Sequence, residues 1–332
     1  MIVSVRDLTI GFRGDDRDLV AVDRISFDVE EGETFVIIGE SGSGKSLTGM
    51  SIAGLQPRIA FVSGSILFKN REALNQPDAE LRRIRGAEIG LIYQDPLGSL
   101  NPVWPVGNQI AETLTAHGLA RPAAAMERAI EMLDRVHIPD PARVAAAYPH
   151  EISGGMRQRA MIAMALAASP SLLIADEPTT ALDVTIKAQI LELLAEVKRE
   201  MSLTVILITH DMGVVAEIAD RILVMYAGRI AEIGSADEIM LHPSHPYTAA
   251  LMTSAMISET PAKQELNAIV GGIPGLDALP SGCRFHPRCP RAKADCVTAE
   301  PRRREFGAVE VACFHPIVAE AVAPARTGRG AS

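Results

Sequence analysis

A glycine-rich segment, Gly39 to Ser46, has the residue types and spacing of a phosphate-binding loop. Its glycines allow successive backbone N–H groups to turn toward the β- and γ-phosphates of a nucleotide. The Lys45 ammonium group can reach the same phosphates, and the Ser46 hydroxyl can ligate Mg²⁺. The segment therefore predicts a nucleotide site formed by Gly39, Glu40, Ser41, Gly42, Ser43, Gly44, Lys45 and Ser46.

An acidic pair, Asp176 and Glu177, follows the apolar run 171–175. One carboxylate at such a place can help to hold Mg²⁺, and its neighbour can orient or deprotonate an attacking water. Taken alone, the pair is also compatible with a helix cap or a solvated loop. The phosphate-binding loop in the same chain favours the catalytic interpretation.

A third polar segment, Ser153-Gly154-Gly155, leads into the apolar stretch Met161–Leu166. A serine hydroxyl and unhindered backbone N–H groups at a helix start can bind an anion, because the helix dipole is positive there. A flexible Gly-Gly linker would not continue directly into a helix. The segment therefore predicts a second anion-binding site.

Three unbroken apolar runs precede the polar loops, at Thr34–Ile38, Ser171–Ala175 and Thr204–Ile208. Such runs, separated by helical patterns such as residues 186–201, are typical of buried parallel strands. In α/β sheets of this kind, ligands bind beyond the carboxyl ends of the strands. The pattern thus brings the polar loops to one edge of an α/β sheet, and it predicts a hairpin at 221–234.

The composition changes twice along the chain. An Ala-rich helical segment predicts an inserted helical subdomain at about residues 95–168, within a core of residues 1–235. A C-terminal extension that contains every cysteine is expected at residues 236–320. The small-residue stretch 321–332 is predicted to be a disordered tail.

The overall composition is that of an ordinary globular protein. The 332 residues include 32 basic and 41 acidic side chains, which gives a net charge of −9, and 48% of the residues are hydrophobic. These values exclude a disordered chain, and the acidic balance argues against a nucleic-acid partner. No apolar run is long enough to span a membrane, and no signal peptide is recognisable, so a reducing cytoplasm is expected.

The ordered set of motifs in residues 1 to about 235 resembles that of the ATP-binding subunits of ABC transporters. The matching segments are the Walker A loop (Gly39–Ser46), the Q-loop glutamine (Gln94), the signature sequence (Ile152–Gln158), Walker B with the catalytic glutamate (Leu172–Asp176 and Glu177), the D-loop (Ala181–Asp183) and the switch histidine (His210). The resemblance implies an α/β P-loop NTPase core of the ABC ATPase type. Other phosphate-loop ATPases fit this set less well.

The resemblance also implies a role for individual residues. Together with Ser46 and Asp176, Gln94 would ligate Mg²⁺, and it would also sense the γ-phosphate of ATP. Glu177 would polarise the attacking water, and His210 would contact the γ-phosphate. Phe12 is the candidate for stacking on the adenine ring.

In this family, two ATP-binding subunits share each ATP. The signature, here Ser153, Gly154 and Gly155, closes over ATP that is bound to the opposite subunit, and Asp183 would organise the partner's site. Each functional site therefore needs a second ATP-binding subunit. Family habit favours a related chain, although a second copy of this chain is the alternative.

Additional segments are similar to the oligopeptide/dipeptide/nickel importer branch of the family. They are Tyr93–Pro102, Met156–Arg159, His245–Leu251, Gly272–Gly275 and Cys283–Pro290. This resemblance implies a peripheral subunit at the cytoplasmic face of the cell membrane that energises import of peptides or a related small solute. Its partners would be two integral membrane permease subunits and an extracytoplasmic solute-binding protein. The alternative is a soluble ABC ATPase that acts on ribosomes or DNA.

The four cysteines, Cys283, Cys289, Cys296 and Cys313, lie close together in the sequence. Disulfides are disfavoured in a reducing compartment. Four thiolates can hold a [4Fe–4S] cluster, and members of the branch can carry one. Zinc fits less well because zinc sites usually have tighter Cys-x₂₋₄-Cys pairs. A [4Fe–4S] cluster, zinc and four free thiols therefore remain open, with the cluster favoured.

Overall fold

The computed structural model describes residues 1–14, 16–94, 96–179, 183–257 and 271–318. Two of the D-loop residues, Ala181 and Leu182, and the tail at 321–332 lie outside these ranges. The strands are β1 (Val3–Phe12), β2 (Leu19–Val29), β3 (Thr34–Ile38), β4 (Ala60–Phe68), β5 (Arg71–Glu72), β6 (Ile89–Ile92), β7 (Leu172–Asp176), β8 (Thr204–Ile208), β9 (Arg221–Tyr226), β10 (Arg229–Ser235), β11 (Arg304–Phe306) and β12 (Val309–Val311).

The α-helices alternate with several of these strands. They are α1 (Lys45–Ile52), α2 (Asp78–Ile84), α3 (Pro96–Ser99), α4 (Val106–Ala116), α5 (Pro122–Arg135), α6 (Pro141–Ala146), α7 (Gly154–Leu166), α8 (Val184–Met201), α9 (Met212–Ile218), α10 (Ala236–Leu241), α11 (Pro246–Ile257) and α12 (Ala294–Thr298), with short 3₁₀ turns at Pro149–Glu151 and His286–Arg288.

The main sheet has the strand order β11-β12-β10-β9-β3-β8-β7-β6. The five strands β9, β3, β8, β7 and β6 run parallel to one another, whereas β10 pairs antiparallel with β9. Every residue of β3, β7 and β8 is buried, because both faces of this part of the sheet are covered, one of them in part by a second sheet. The three apolar runs are thus the central strands, and the loops that follow them share one edge of the sheet.

A second, antiparallel sheet has the order β2-β1-β4-β5. Its apolar face carries Val3, Val5, Ile25 and Ile66, and it packs with Phe35 and Ile37 of β3 in one hydrophobic cluster. This sheet therefore supports the strand that leads into the phosphate-binding loop.

Helices α3 to α7 lie between β6 and β7 in the chain, where the sequence predicts an inserted helical segment. Helix α5 packs on α4, α6 and α7 through buried residues that include Ala125, Ala129 and Leu133. Because alanine side chains are small, they allow helices to approach closely, which explains the high alanine content of this segment.

The C-terminal extension continues the main sheet. Strand β12 pairs antiparallel with β10, with Glu232 opposite Val311, and β11 pairs with β12. The sequence pattern indicates no strands there, because three-residue strands are too short to show a period-2 pattern. The β9–β10 hairpin around Ala227 and Gly228 is present as predicted.

Candidate functional site

The phosphate-binding loop connects β3 to α1, and it has no room for a side chain at its first residue, Gly39. A Cβ atom at Gly39 would lie 2.2 Å from the carbonyl oxygen of Met225, so the loop backbone lies directly against β9. The Lys45 Nζ donates hydrogen bonds to the carbonyl oxygens of Gly39 (2.8 Å) and Glu40 (2.9 Å). Burial lowers the pKa of Lys45. Its ammonium group is thereby held inside the loop.

Two polar side chains meet where α1 begins beside the end of β7. The Ser46 hydroxyl donates a 3.0 Å hydrogen bond to Oδ1 of Asp176, which is 5% exposed. Burial raises the pKa of Asp176, and the neighbouring charge of Glu177 raises it further. A hydroxyl and a carboxylate are oxygen ligands of the kind that Mg²⁺ prefers. The pair that the sequence assigns to Mg²⁺ is therefore in contact.

Three catalytic candidates from three strand ends meet at Glu177. The Gln94 amide, after β6, donates a 3.0 Å hydrogen bond to Oε2 of Glu177, and Nδ1 of His210, after β8, lies 2.9 Å from Oε1. Glu177 itself has a left-handed φ of 48° directly after β7. The parallel strand order β6-β7-β8 brings these side chains to one edge.

The buried hydroxyl of Ser43, within the loop, has no hydrogen-bond partner in the described structure. A buried polar group without a partner is uncommon. Together with the glycines and Lys45, it fits a loop whose polar groups bind phosphate oxygens. The described residues of this edge therefore suit a magnesium–nucleotide complex.

Two residues of the signature, Ser153 and Gly154, are exposed at the start of α7. Ser153 caps α7, since its Oγ accepts a 3.3 Å hydrogen bond from the Met156 N–H, and both Ser153 and Gly154 are exposed. No heavy atom lies within 4 Å of a Cβ built on Gly154. The helix start that the sequence predicts after Ser153 is therefore present, and it is exposed.

Two further candidates lie at the ends of elements. The Asp183 Oδ1 caps α8 by accepting a 2.9 Å hydrogen bond from the Ile186 N–H, and Asp183 is exposed. Phe12 ends β1, half-buried, opposite Leu19 and Ala60. Neither residue has a described hydrogen bond to Gln94, Glu177 or His210.

Sequence reasoning missed several residues around the site. The Gln158 amide is buried and donates a 2.6 Å hydrogen bond to the carbonyl oxygen of Pro178, which ties α7 to the segment after Glu177. Tyr247 and Arg288 of the extension contact Glu40. Gln158 lies inside the recognised signature, but nothing in the local pattern indicates the partner of any of the three.

The four cysteines line one small cavity in the extension, next to His286 and His315. Burial raises the pKa of Cys283 and Cys289, and it raises that of Cys313 to about 11. Among the described residues, the metal-ligand atoms within 4.8 Å of one another belong to Asp295, Cys296 and His315. The four thiols thus line the same cavity, but their sulfur atoms do not all lie within 4.8 Å of one another.

Fold and site together define the class of the protein. Residues 22–180 match the family model for ABC transporters. A dimeric post-hydrolysis structure of the ATP-binding cassette MJ0796 with ADP and Pi is similar at a TM-score of 0.64 and 29% identity, covering 71% of this chain and 99% of that chain. CbiO1 from Clostridium perfringens is similar at 0.60 and 29%, covering 73% and 91%. The chain is an ABC-type ATPase that uses ATP and Mg²⁺.

The family can be stated more closely. Residues 231–296 match the C-terminal region of oligopeptide/dipeptide transporters. The chain is 46% identical to the oligopeptide transport ATP-binding protein OppD of Salmonella typhimurium over 96% of this chain and 94% of that protein. It is 49% identical to the dipeptide transport ATP-binding protein DppD of Bacillus subtilis, covering 90% of each. The chain belongs to this family of ABC transporter ATP-binding proteins.

These comparisons confirm the predicted resemblance, the ABC ATPase fold and the ATPase activity coupled to transport. They do not favour the alternative of an ATPase that acts on ribosomes or DNA. Within the described residues, no helix is both long and apolar enough to cross a membrane.

Proposed function

We propose that this chain is the ATP-hydrolysing subunit of a peptide importer and works at the cytoplasmic face of the cell membrane. The observation that carries the proposal is the oligopeptide/dipeptide C-terminal region attached to an ABC core, with near-full-length relatives named for oligopeptide and dipeptide transport. Two integral membrane permease subunits would form the path, and an extracytoplasmic binding protein would deliver the solute.

In this proposal, residues 39–46 bind the phosphates of ATP. Their backbone N–H groups and the Lys45 ammonium group offset the phosphate charge. Ser46, Asp176 and Gln94 would hold Mg²⁺, which would supply positive charge that offsets the negative charge of the phosphates. The existing Ser46–Asp176 hydrogen bond supports this assignment, because it brings two of the ligands together.

Glu177 would accept a proton from the attacking water as that water approaches the γ-phosphate. His210 lies 2.9 Å from one of its carboxylate oxygens and fixes its orientation, while Gln94 bonds the other oxygen. These two contacts hold the Glu177 carboxylate in one orientation. Phe12, at the end of β1, is the residue proposed to stack on adenine.

The signature segment would act on ATP bound to a second ATP-binding subunit, either a related chain or another copy of this one. Exposure of Ser153 and Gly154 supports this assignment, and so does the dimeric form of the similar cassette MJ0796. Asp183, also exposed, would contact the partner's site. Closure of the two subunits over ATP would then switch the access of the permease.

Peptide uptake by intact cells tests the proposed function. Cells that lack this chain should lose uptake of a labelled tripeptide or dipeptide, and the wild-type chain should restore it. A Lys45→Ala chain should not, although it is made at the same level. Full uptake without the chain, or full rescue by Lys45→Ala, would contradict the proposal.

We further propose that the cysteine cavity holds a [4Fe–4S] cluster with Cys283, Cys289, Cys296 and Cys313 as ligands. The donor set supports this, because all four thiols line one cavity. A four-iron cluster also holds its thiolates further apart than a single ion does, which suits thiols that do not meet at one point. The cluster would have a structural role, in which it holds together the segments of the extension that carry the four cysteines.

Metal analysis of anaerobically purified protein tests the cluster. The protein should be brown and contain about four irons and four sulfides per chain. Cys313→Ser should lose most of the iron, whereas Ser281→Ala, at an exposed residue nearby, should keep it. Colourless protein with one zinc per chain, or with no metal, would exclude the cluster and leave the ATPase assignment intact.

A further inference from the structure

The C-terminal extension contacts the phosphate-binding loop directly. The Arg288 guanidinium, from the 3₁₀ turn at His286–Arg288, forms a two-pronged ion pair with the carboxylate of Glu40. Its Nη1 lies 2.8 Å from Oε2 and its Nη2 lies 3.0 Å from Oε1. The Arg288 side chain is 8% exposed, and that of Glu40 is 24% exposed. This is a nearly buried pair with ideal fork geometry, not a loose surface contact.

Tyr247 of α11 holds the backbone of the same residue. Its hydroxyl accepts a 2.9 Å hydrogen bond from the Glu40 N–H. The Tyr247 side chain is fully buried against the rings of Tyr226 and Phe285, at centroid distances of 4.7 and 5.4 Å. Because the ring is packed on two sides, the hydroxyl cannot move away without disturbing the core.

Arg288 is itself held in place. Its Nη1 donates to the Tyr226 hydroxyl (3.3 Å), its Nη2 donates to the Gly271 carbonyl oxygen (3.1 Å), and the guanidinium lies over the Tyr226 ring at 5.7 Å. A side chain with this many contacts cannot follow Glu40 if the loop shifts. Glu40 is therefore fixed at both its backbone and its carboxylate.

Charge explains why such a contact would matter for nucleotide binding. Glu40 is the one acidic residue among residues 39–46, and this loop must accept the negative phosphates of ATP. An unpaired carboxylate there would repel the phosphates, and the repulsion is strong in a partly buried site. The Arg288 guanidinium cancels that charge.

We propose that Arg288 is a positioning residue for ATP binding: it neutralises Glu40 and, with Tyr247, fixes the second residue of the phosphate-binding loop. The C-terminal extension thereby sets the affinity of the ATPase core for ATP. The inference rests on the proposed role of residues 39–46. Arg288 acts through Glu40 and is assigned no contact with the nucleotide.

Titration of the full-length chain with a fluorescent ATP analogue tests the proposal. Arg288→Gln should weaken binding about tenfold, because it leaves the Glu40 charge uncompensated. Glu40→Gln removes the pair and the repulsive charge together, so it provides a background in which Arg288 has no charge to neutralise. The double variant should bind like Glu40→Gln, and Arg288→Lys should recover part of the lost affinity.

Two further readouts separate positioning from a general structural effect. In steady-state assays, Arg288→Gln should raise the KM for ATP about tenfold and change kcat by less than about twofold. Arg302→Gln, which removes an exposed arginine of the same extension, should alter neither constant. Raising the salt concentration should reduce the difference in ATP affinity between Arg288→Gln and wild type, because salt screens the repulsion between Glu40 and the phosphates.

The inference fails if the double variant binds ATP as weakly as Arg288→Gln, or if Arg288→Gln binds like wild type. If Arg288→Gln does not fold, the charge-preserving Arg288→Lys is compared with wild type, and a tenfold loss of ATP affinity in that variant would contradict charge neutralisation. Failure of the proposed loop function looks different, because Lys45→Ala would then bind ATP as tightly as wild type.

Discussion

Two glycines illustrate the difference between the two regions of this chain that are predicted to bind anions. At Gly39, in the phosphate-binding loop, a Cβ would lie 2.2 Å from a backbone oxygen of Met225. At Gly154, in the signature, a Cβ would meet no heavy atom within 4 Å. Only the first glycine is explained by packing within its own chain.

The surrounding side chains differ in the same way. Around the loop, Lys45 and Asp176 are buried, and Glu177 is oriented by Gln94 and His210. Around the signature, Ser153 is exposed and bonds only a local N–H among its described partners. The loop region is thus assembled by one chain, whereas the signature presents its polar groups outward. We infer that the second region is completed by another subunit.

The largest expected effect is that of Glu177→Gln, which should stop ATP hydrolysis without preventing two subunits from closing over ATP. Glu177→Gln keeps the size and most hydrogen bonding of the side chain but cannot accept a proton. Steady-state ATP turnover of the assembled transporter should fall by at least about 100-fold, with ATP affinity preserved. ATP-bound subunit pairs should accumulate and appear as a larger species in size-exclusion chromatography.

Glu217→Gln provides the matched control, because Glu217 is an exposed glutamate of α9. It should turn over ATP like wild type. Turnover by Glu177→Gln within a few-fold of wild type would remove Glu177 from the catalytic role.

A second, intermediate effect tests the two glycines directly. Gly39→Ala should lower the free energy of unfolding by about 2 kcal/mol, because the backbone of the loop or of β9 must move. Gly154→Ala should leave the free energy of unfolding unchanged or raise it by up to about 1 kcal/mol. It should nevertheless reduce ATP turnover about tenfold or more, since a methyl group would enter the space for the other subunit's ATP.

Chemical denaturation and ATPase assays on the same preparations check this pair. ATP turnover at the wild-type rate by Gly154→Ala would show that Gly154 is not needed to make room for ATP bound to another subunit. A strongly destabilised Gly154→Ala would mean that the space around it is filled after all.

The smallest expected effect concerns Asp183. Its carboxylate caps α8 through the Ile186 N–H, so Asp183→Ala should cost about 1 kcal/mol of folding stability. Asp183→Asn retains a cap oxygen and should cost less than half of that. If Asp183 also contacts the partner's site, both variants should lose turnover, and a loss confined to Asp183→Ala would assign the residue to the helix cap alone.

Much of the sheet edge that carries the candidate site could be predicted from the sequence, because each strand and the polar loop after it are consecutive in the chain. The run Thr34–Ile38 followed by glycines predicts a buried strand that leads through a glycine-rich loop into a helix, and this strand–loop–helix arrangement is present as predicted. The meeting of Gln94, Glu177 and His210 follows once the three strands are parallel neighbours. Here strand order does most of the positioning.

Contacts between distant segments could not be predicted in the same way. The Arg288–Glu40 pair joins residues 248 positions apart, and no local periodicity encodes such a distance. Strands β11 and β12 owe their existence to the edge of β10, because they are too short to be stable alone. These features depend on how the extension docks, which is a tertiary property.

Photolabelling of the signature in the assembled transporter tests the shared ATP site most directly. The chain would carry Lys45→Ala, so that its own loop no longer holds ATP, and the second ATP-binding subunit would be intact. We predict that an ATP analogue with a photoreactive γ-phosphate labels the peptide that contains Ser153, and that disabling the second subunit's phosphate loop abolishes the label. Labelling of Ser153 only when Lys45 of the same chain is intact would contradict the account.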